Sequence, residues 1–439
     1  MLKIDWLKMF EHMIRMHRAI LSVLVVMLSA VVVSCSDDDC EEPNVVNPSS
    51  KEQWSATLKG NGEELGAYPD LYSNYWEYTY ENDENVALCF SGEYPYCRYF
   101  SFSIYNDETG DAIGGIDDSR IEPDGGYVNP FVETATGKNR FTLYVVSENA
   151  DERFVESLNS NNVCRVKGGI KRVAVALRQY LGTDESGLTA DEYGGVELPA
   201  ISAIDVRTRK AVAVPEHVFS NVYLASSNVY DQKSDENKEV PFFLAPVSRY
   251  YPNNSTSYLY ARTHLKADEV LVFSFIPAPV PEKVEDYATA VTRYWSICLG
   301  SAKDTRSYQS LCDNNAYWER GKKATFVVCL KNNTDRLKVE EKVASEREQG
   351  EFVNLIIWDS EKVNIDGNPI GEYIALMYRN ILPDLSWQYS ISTMLPTAYK
   401  DETGEPIDHV TNPERQLAHK ALGDYGPLGI KILTSEYLK

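Results

Sequence analysis

One short word occurs twice in this chain, and the repetition limits the fold more than any other feature. Arg98-Tyr99-Phe100-Ser101-Phe102 opens a run that continues to Tyr105, and Arg293-Tyr294-Trp295-Ser296-Ile297-Cys298 repeats its order in the second half. Each copy follows an apolar segment, Ala87 to Phe90 in the first and Val270 to Phe275 in the second. Each precedes an acidic loop, Asp117-Asp118 and Cys312-Asp313, and then another apolar stretch, Phe141 to Val146 and Thr325 to Cys329. Bulky side chains at every second position mark a strand, because alternate residues face opposite sides of a sheet. A word echoed over so long a spacing indicates two copies of one β unit, each larger than a short solenoid repeat.

The stretches between the copies fit the same picture. Arg172 to Tyr180 alternates as a strand does, and a turn-rich loop from Gly182 to Gly195 leads to Val196-Glu197-Leu198-Pro199. Ile204 to Val214 reads as a further strand, and the polar, charged stretch Asp231 to Asn237 marks the boundary region. Helical patterns are fewer: Asp151 to Leu158, Leu337 to Glu348, and Ile370 to Leu382, stopped by Pro383. The 29 tyrosines suit pleated, half-buried surfaces. The expected fold is mainly β: two related β-sandwich, jelly-roll-like halves with a few short helices. On this reading residues 1–34 are a leader and 35–53 a flexible acidic tether. Residues 54–230 form the first half, and 231–439 the second, with C-terminal helices and a closing segment.

At the N-terminus, Lys3, Lys8, Arg15 and Arg18 precede an apolar run from Ala19 to Val33. A bilayer-spanning helix needs about 20 apolar residues, so this run has the length of a signal-peptide core instead. It ends in Val32-Val33-Ser34-Cys35, which resembles the lipobox of bacterial lipoproteins. The resemblance implies that Cys35 becomes the lipid-bearing first residue of the mature chain; Met13 and Met16 are alternative starts. Ser36-Asp37-Asp38-Asp39 resembles the acidic signal that sends some lipoproteins to the outer face of the outer membrane. The implied location is the outer membrane, facing the cell surface, with the lipid as the membrane attachment. The polar, Pro-, Asn- and Ser-containing stretch up to Gln53 reads as a stalk.

Charge and cysteine usage narrow the partners. The formal net charge is −22, and removing a leader with four basic and two acidic residues leaves −24. Such a chain repels nucleic acid, so no nucleic-acid partner is expected. With Cys35 set aside, Cys40, Cys89, Cys97, Cys164, Cys298, Cys312 and Cys329 remain. In an oxidising compartment the closely spaced pairs are disulfide candidates: Cys298 with Cys312, and Cys89 with Cys97 across the turn Ser91 to Pro95. A zinc centre wants clustered ligands, but His217, His264, His409 and His419 are scattered and read as structural or surface residues. Asp117, Asp118 and Asp124 offer oxygens to calcium without the EF-hand spacing. No metal and no cofactor is expected.

Several further words appear in a fixed order. The span from Arg98 to Phe131 holds RYFSFSIY, an Asp-rich loop, Pro123-Asp124-Gly125 and Asn129-Pro130-Phe131. Gly194-Gly195-Val196-Glu197-Leu198-Pro199 follows, then RYWSIC with Cys312-Asp313. Tyr378-Arg379-Asn380-Ile381-Leu382-Pro383 and Gly423-Asp424-Tyr425-Gly426-Pro427 close the series. In this order, from about Trp76 onward, the chain resembles a family of uncharacterised bacterial secreted proteins with paired β-sandwich halves. The resemblance implies architecture and export and assigns no activity. Gly426 stands where that family has an aromatic residue.

Pockets favour domain interfaces, so the expected binding site lies where the halves meet. Its candidate residues are Arg98, Asp117, Asp118, Arg293, Trp295, Asp313, Arg379 and Tyr425. An arginine beside an aromatic ring forms a platform: the ring stacks and the guanidinium grips carboxylate or sugar oxygens. The opposing reading is structural. Arg98 and Arg293 are then buried partners of Asp118 and Asp313, each meeting the acidic loop of its own copy, and the aromatics fill the core. No GxSxG elbow, P-loop or dinucleotide fingerprint is present, and no catalytic residue is singled out. The leading expectation is a non-catalytic surface lipoprotein that binds a glycan or another envelope component. The alternatives are a carboxylate-dependent hydrolase of a cell-surface or environmental polymer, and a purely structural lipoprotein.

Overall fold

Both copies of the repeated word become strands, and the surrounding order of strands is also repeated. The computed structural model describes residues 53–54, 68–134, 139–158, 162–218, 238–244, 252–301, 306–364, 367–394 and 417–439. The leader, Cys35, the tether up to residue 52, Asp231 to Asn237 and His409 lie outside the described residues. In the first copy one sheet has the order β1 (Ser73–Glu81), β7 (Arg172–Tyr180), β3 (Tyr99–Asn106), β4 (Ala112–Asp117). The other has β6 (Val163–Val166), β5 (Arg140–Ser147), β2 (Val86–Glu93), β8 (Ala200–Asp205), β9 (Ala211–Val212). In the second copy the first sheet runs β11 (Phe243–Leu244), β12 (Thr256–His264), β18 (Tyr373–Ile381), β14 (Tyr294–Ser301), β15 (Ser307–Cys312). Its companion runs β10 (Glu239–Pro241), β19 (Leu428–Leu433), β13 (Glu269–Phe275), β16 (Ala324–Leu330), β17 (Val353–Trp358).

Apart from the short edge strands β9, β10 and β11, the two copies match strand for strand. Tyr99 lies opposite Tyr180 and Tyr294 opposite Ile381, so the two RY words hold equivalent places. Even an irregularity repeats: the ladder shifts at Ile104/Tyr105 in one copy and at Leu299/Gly300 in the other. Each half departs from an all-antiparallel jelly roll at one point. β5 and β6 run parallel, joined by α1 (Glu152–Ser157), and β16 and β17 run parallel, joined by α2 (Arg336–Glu348). Parallel neighbours need a crossover connection, and the helix supplies it.

Alternation decides what each face buries. Trp76, Phe100, Phe102, Phe90, Phe141 and Leu177 point between the two sheets of the first half and fill its core. Trp295, Phe273, Phe275, Phe326, Trp358 and Tyr378 do so in the second. On the outer face of the second sandwich, Val339 and Val343 of α2 cover Val270 and Val327; Phe154 of α1 covers Ala87 and Val146 in the first. The remaining faces, those of the sheets carrying the RY words, join the halves: Tyr99, Tyr180, Tyr294, Cys312 and Ile381 pack together there.

Two segments differ from expectation. Ile370 to Leu382, expected as a helix, holds the inner strand β18. All but one of that strand's residues are buried, because one face fills the sandwich core and the other meets the partner half. A run that is apolar on both faces has no period to read. Ile204 to Val214, expected as a further strand, turns back on itself as the end of β8 and the short β9.

Candidate functional site

The repeated arginines and aspartates pair across the halves, not within them. Arg98 donates from Nη1 to Asp313 Oδ2 at 2.7 Å, and Arg293 donates from Nη1 to Asp118 Oδ1 at 3.1 Å. Each guanidinium also reaches the other arginine's carbonyl, Arg98 to Arg293 O at 3.4 Å and Arg293 to Arg98 O at 3.5 Å. The aspartates are placed by the strands themselves. Asp118 N–H bonds Phe100 O and Asp313 N–H bonds Trp295 O, extending each ladder by one residue beyond the strand. The expectation that each arginine meets the acidic loop of its own copy is thereby corrected: the two strand starts abut, and each side chain passes its counterpart to reach the other half. Arg293 is further covered by Tyr287, whose ring centre lies 3.9 Å from the guanidinium carbon.

The same reciprocity extends inward. Tyr99 donates to Asn253 Oδ1 at 3.1 Å, and its equivalent Tyr294 donates to Asp70 Oδ2 at 3.0 Å. Asp70 also accepts from Ser296 Oγ at 2.5 Å and lies 3.5 Å from Arg379 Nη1. Arg178 stands over the Tyr75 ring and Arg379 over the Tyr258 ring, at 5.8 and 5.7 Å. Burial pushes the Asp118 carboxyl up to about 7, against the pull of Arg293 and of the Phe100 N–H. Burial likewise raises Asp313, opposed by Arg98.

Of the eight candidate residues, Asp117, Asp118, Arg293, Trp295, Asp313 and Arg379 are buried. The proposed platform of arginine and tryptophan is not formed. Trp295 lies in the core, edge-on to Trp318 at 5.4 Å, while the arginines turn to the junction. Asp117 accepts from Ser119, Arg120 and, across the halves, from Ser255 at 3.0 Å; Asp124 turns away to Thr142. Tyr425 is half-buried elsewhere, stacked on Tyr389 at 4.5 Å.

The disulfide candidates are also corrected. All six described cysteines are free. Cys312 lies opposite Ser296, and Cys298 opposite Ser310, so the two sulfurs sit two residues out of register. Cys89 and Cys97 do not face each other across a hairpin, because β2 and β3 belong to different sheets and the link between them arches from one to the other. Burial pushes the Cys298 thiol up to about 11 and the Cys312 thiol up to about 12, which disfavours the reactive thiolate.

A groove that the residue-by-residue reading did not single out opens at one corner of the first half. It encloses about 680 Å³ and is lined by Glu93, Arg140, Asp191, Tyr193, Gly195, Glu197 and Leu198, among others. The Gly-Gly-Val-Glu-Leu-Pro word forms one wall. Gly194 and Gly195 both adopt left-handed backbone, with φ of 67° and 69°. A Cβ on Gly194 would lie 2.7 Å from Pro95 Cβ and 3.1 Å from Gln179 Oε1, so only glycine fits. Asp191 Oδ1 accepts the N–H groups of Tyr193 at 2.8 Å and Gly195 at 3.2 Å, fixing the loop. The Tyr193 ring stacks on buried Trp76 at 5.6 Å and 28°. Trp54 holds the far end, donating from Nε1 to Pro199 O at 2.8 Å. The result is a rigid aromatic surface ringed by one cation and three carboxylates.

No family model matches the chain, and no curated protein does. It is similar to an uncharacterised protein from Burkholderia cenocepacia at 12% identity, over 87% of this chain and 81% of that one, with a TM-score of 0.45. It is also similar to a protein from Vibrio parahaemolyticus at 11% identity, over 74% of this chain and 87% of that one, with a TM-score of 0.35.

Proposed function

We propose that this chain is an exported, lipid-anchored envelope protein that binds a glycan or another envelope component and does no chemistry on it. The observation that carries the reading is the groove at Tyr193. A tyrosine backed by a tryptophan offers a flat face for a sugar ring, and Glu93, Arg140, Asp191 and Glu197 surround it with groups for hydroxyls. The buried aspartates at the junction support the same reading, because Asp118 and Asp313 each engage an arginine of the other half and are withdrawn from any substrate.

A glycan array probed with the full chain in detergent tests this. The expected result is selective binding that is lost in Tyr193→Ala, with no cleavage of the bound glycan. A second reading has one observation in its favour: Glu93, Asp191 and Glu197 all line the groove. Turnover abolished by Glu93→Gln or Glu197→Gln would replace the binding reading with the hydrolase reading. The anchor is tested separately. A fatty-acid probe is expected to label the wild type and not Cys35→Ala, and surface proteolysis of intact cells is expected to remove the domain.

A further inference from the structure

The corner that holds the groove has a counterpart in the second half, and register identifies it, although Ala421 stands there at the place of Tyr193. Gly195 has a φ of 69° and precedes Pro199 by four residues, just ahead of β8; Gly423 has a φ of 56° and precedes Pro427 by four residues, just ahead of β19. Phe141, opposite Gly92, follows Arg140; Ala324, opposite Phe275, follows Lys323. Lys323 therefore holds the place of Arg140, and Tyr425 that of Glu197. At this second corner Tyr425 stacks on Tyr389 at 4.5 Å and 17°, and Trp387 stands edge-on to both, at 5.0 and 5.8 Å. All three rings are half-buried, and Trp387 and Tyr389 pack on each other and on Tyr425 rather than in the sandwich core. Asp424, the residue before Tyr425, forms an exposed pair with Lys323 at 3.3 Å, with 71% and 55% of their side chains in solvent. Exposed pairs of this kind hold weakly.

We infer that this corner is a second saccharide site, with Trp387, Tyr389 and Tyr425 as the stacking surface and Lys323 and Asp424 as hydroxyl partners. The inference rests on reading the Tyr193 groove as a glycan site. Flat rings flanked by one cation and one anion suit a sugar, whose ring carries an apolar C–H face and a rim of hydroxyls. Two sites on one chain, one per half, would grip a polymer far more tightly than either alone.

The test uses the full chain in detergent and, as probe, oligosaccharides released from bacterial peptidoglycan and lipopolysaccharide, read by saturation-transfer NMR. Trp387→Ala with Tyr389→Ala is expected to reduce the signal, Tyr193→Ala to reduce it further, and all three together to abolish it. Trp387→Phe, which keeps a stacking face, should retain wild-type signal, and an unchanged thermal midpoint shows that the loss is not unfolding. If the Trp387/Tyr389 variant transfers as the wild type does while Tyr193→Ala loses everything, the second site is wrong and the groove stands. If Tyr193→Ala is silent and the Trp387/Tyr389 variant loses everything, the groove reading falls and the second site stands. A wild-type chain that gives no signal with the pool overturns both.

Discussion

Arg293 and Asp118 keep 3% and 0% of their side chains exposed, whereas Arg98 keeps 19% beside Asp313. Removing one member of a buried pair strands the other's charge and costs about 3–5 kcal/mol. Arg293→Ala should therefore lower the thermal midpoint steeply and Arg98→Ala less so. Calorimetry that finds Arg293→Ala as stable as the wild type would contradict a structural role for the pair. The raised Asp118 carboxyl adds a pH signature. A carboxyl that binds its proton more tightly folded than unfolded contributes stability at low pH, and that contribution is lost as pH rises from the ordinary carboxylate range through about 7. One such group changes stability by at most about 1.4 kcal/mol per pH unit. Thermal midpoints measured from pH 4 to 8 should fall less steeply in Asp118→Asn than in the wild type; parallel curves would contradict it. The partners of both arginines were legible as residue types in the sequence. The crossing was not, because a linear repeat reads the same whether its copies pair within themselves or with each other.

At the scale of elements, strands whose two faces differ in side-chain type were easy to read even when both faces are buried, and those without such alternation were not. Tyr99 to Tyr105 alternates Phe with Ser and Tyr, and it is a strand. Ile370 to Leu382 carries buried side chains on both faces and imitates a helix. The cysteine spacings failed for a related reason: proximity in sequence fixes neither register nor sheet, and here both separate the sulfurs. Thiol labelling should accordingly find the six described cysteines reactive after denaturation without reductant, and largely protected before it. The loop at the groove gives a sharper test. Gly194→Ala adds left-handed strain of about 1–2 kcal/mol and a collision with Pro95. Gly187→Ala adds similar strain, with φ of 72°, but meets nothing within 4 Å. Gly194→Ala should lose more stability and also weaken binding at the groove, while Gly187→Ala should affect stability alone. Equal losses would mean that the Gly194 wall does not shape the site.

At the scale of the whole molecule, the duplication explains the architecture and relates the two proposed ligand sites to each other. Reciprocal Arg–Asp and Tyr–Asn/Asp contacts occupy the junction, so the place where sequence reasoning expected a pocket is filled by the pairing of the two copies. The proposed ligand sites lie instead at the corner of each sandwich, where a Gly-to-Pro loop enters the last main strand. The Gly-Gly-Val-Glu-Leu-Pro word was visible in the sequence as a motif. Its partnership with Trp76 and Arg140, far away in the chain, was visible only in the fold. The most direct measurement combines binding and turnover in one sample: the full chain is incubated with envelope-derived oligosaccharides, and bound ligand and newly formed reducing ends are both quantified for wild type, Tyr193→Ala and Glu93→Gln. The account predicts binding by the wild type, loss of it in Tyr193→Ala, and no new reducing ends in any sample. Reducing ends that appear with the wild type and vanish with Glu93→Gln, or undiminished binding by Tyr193→Ala, would contradict it.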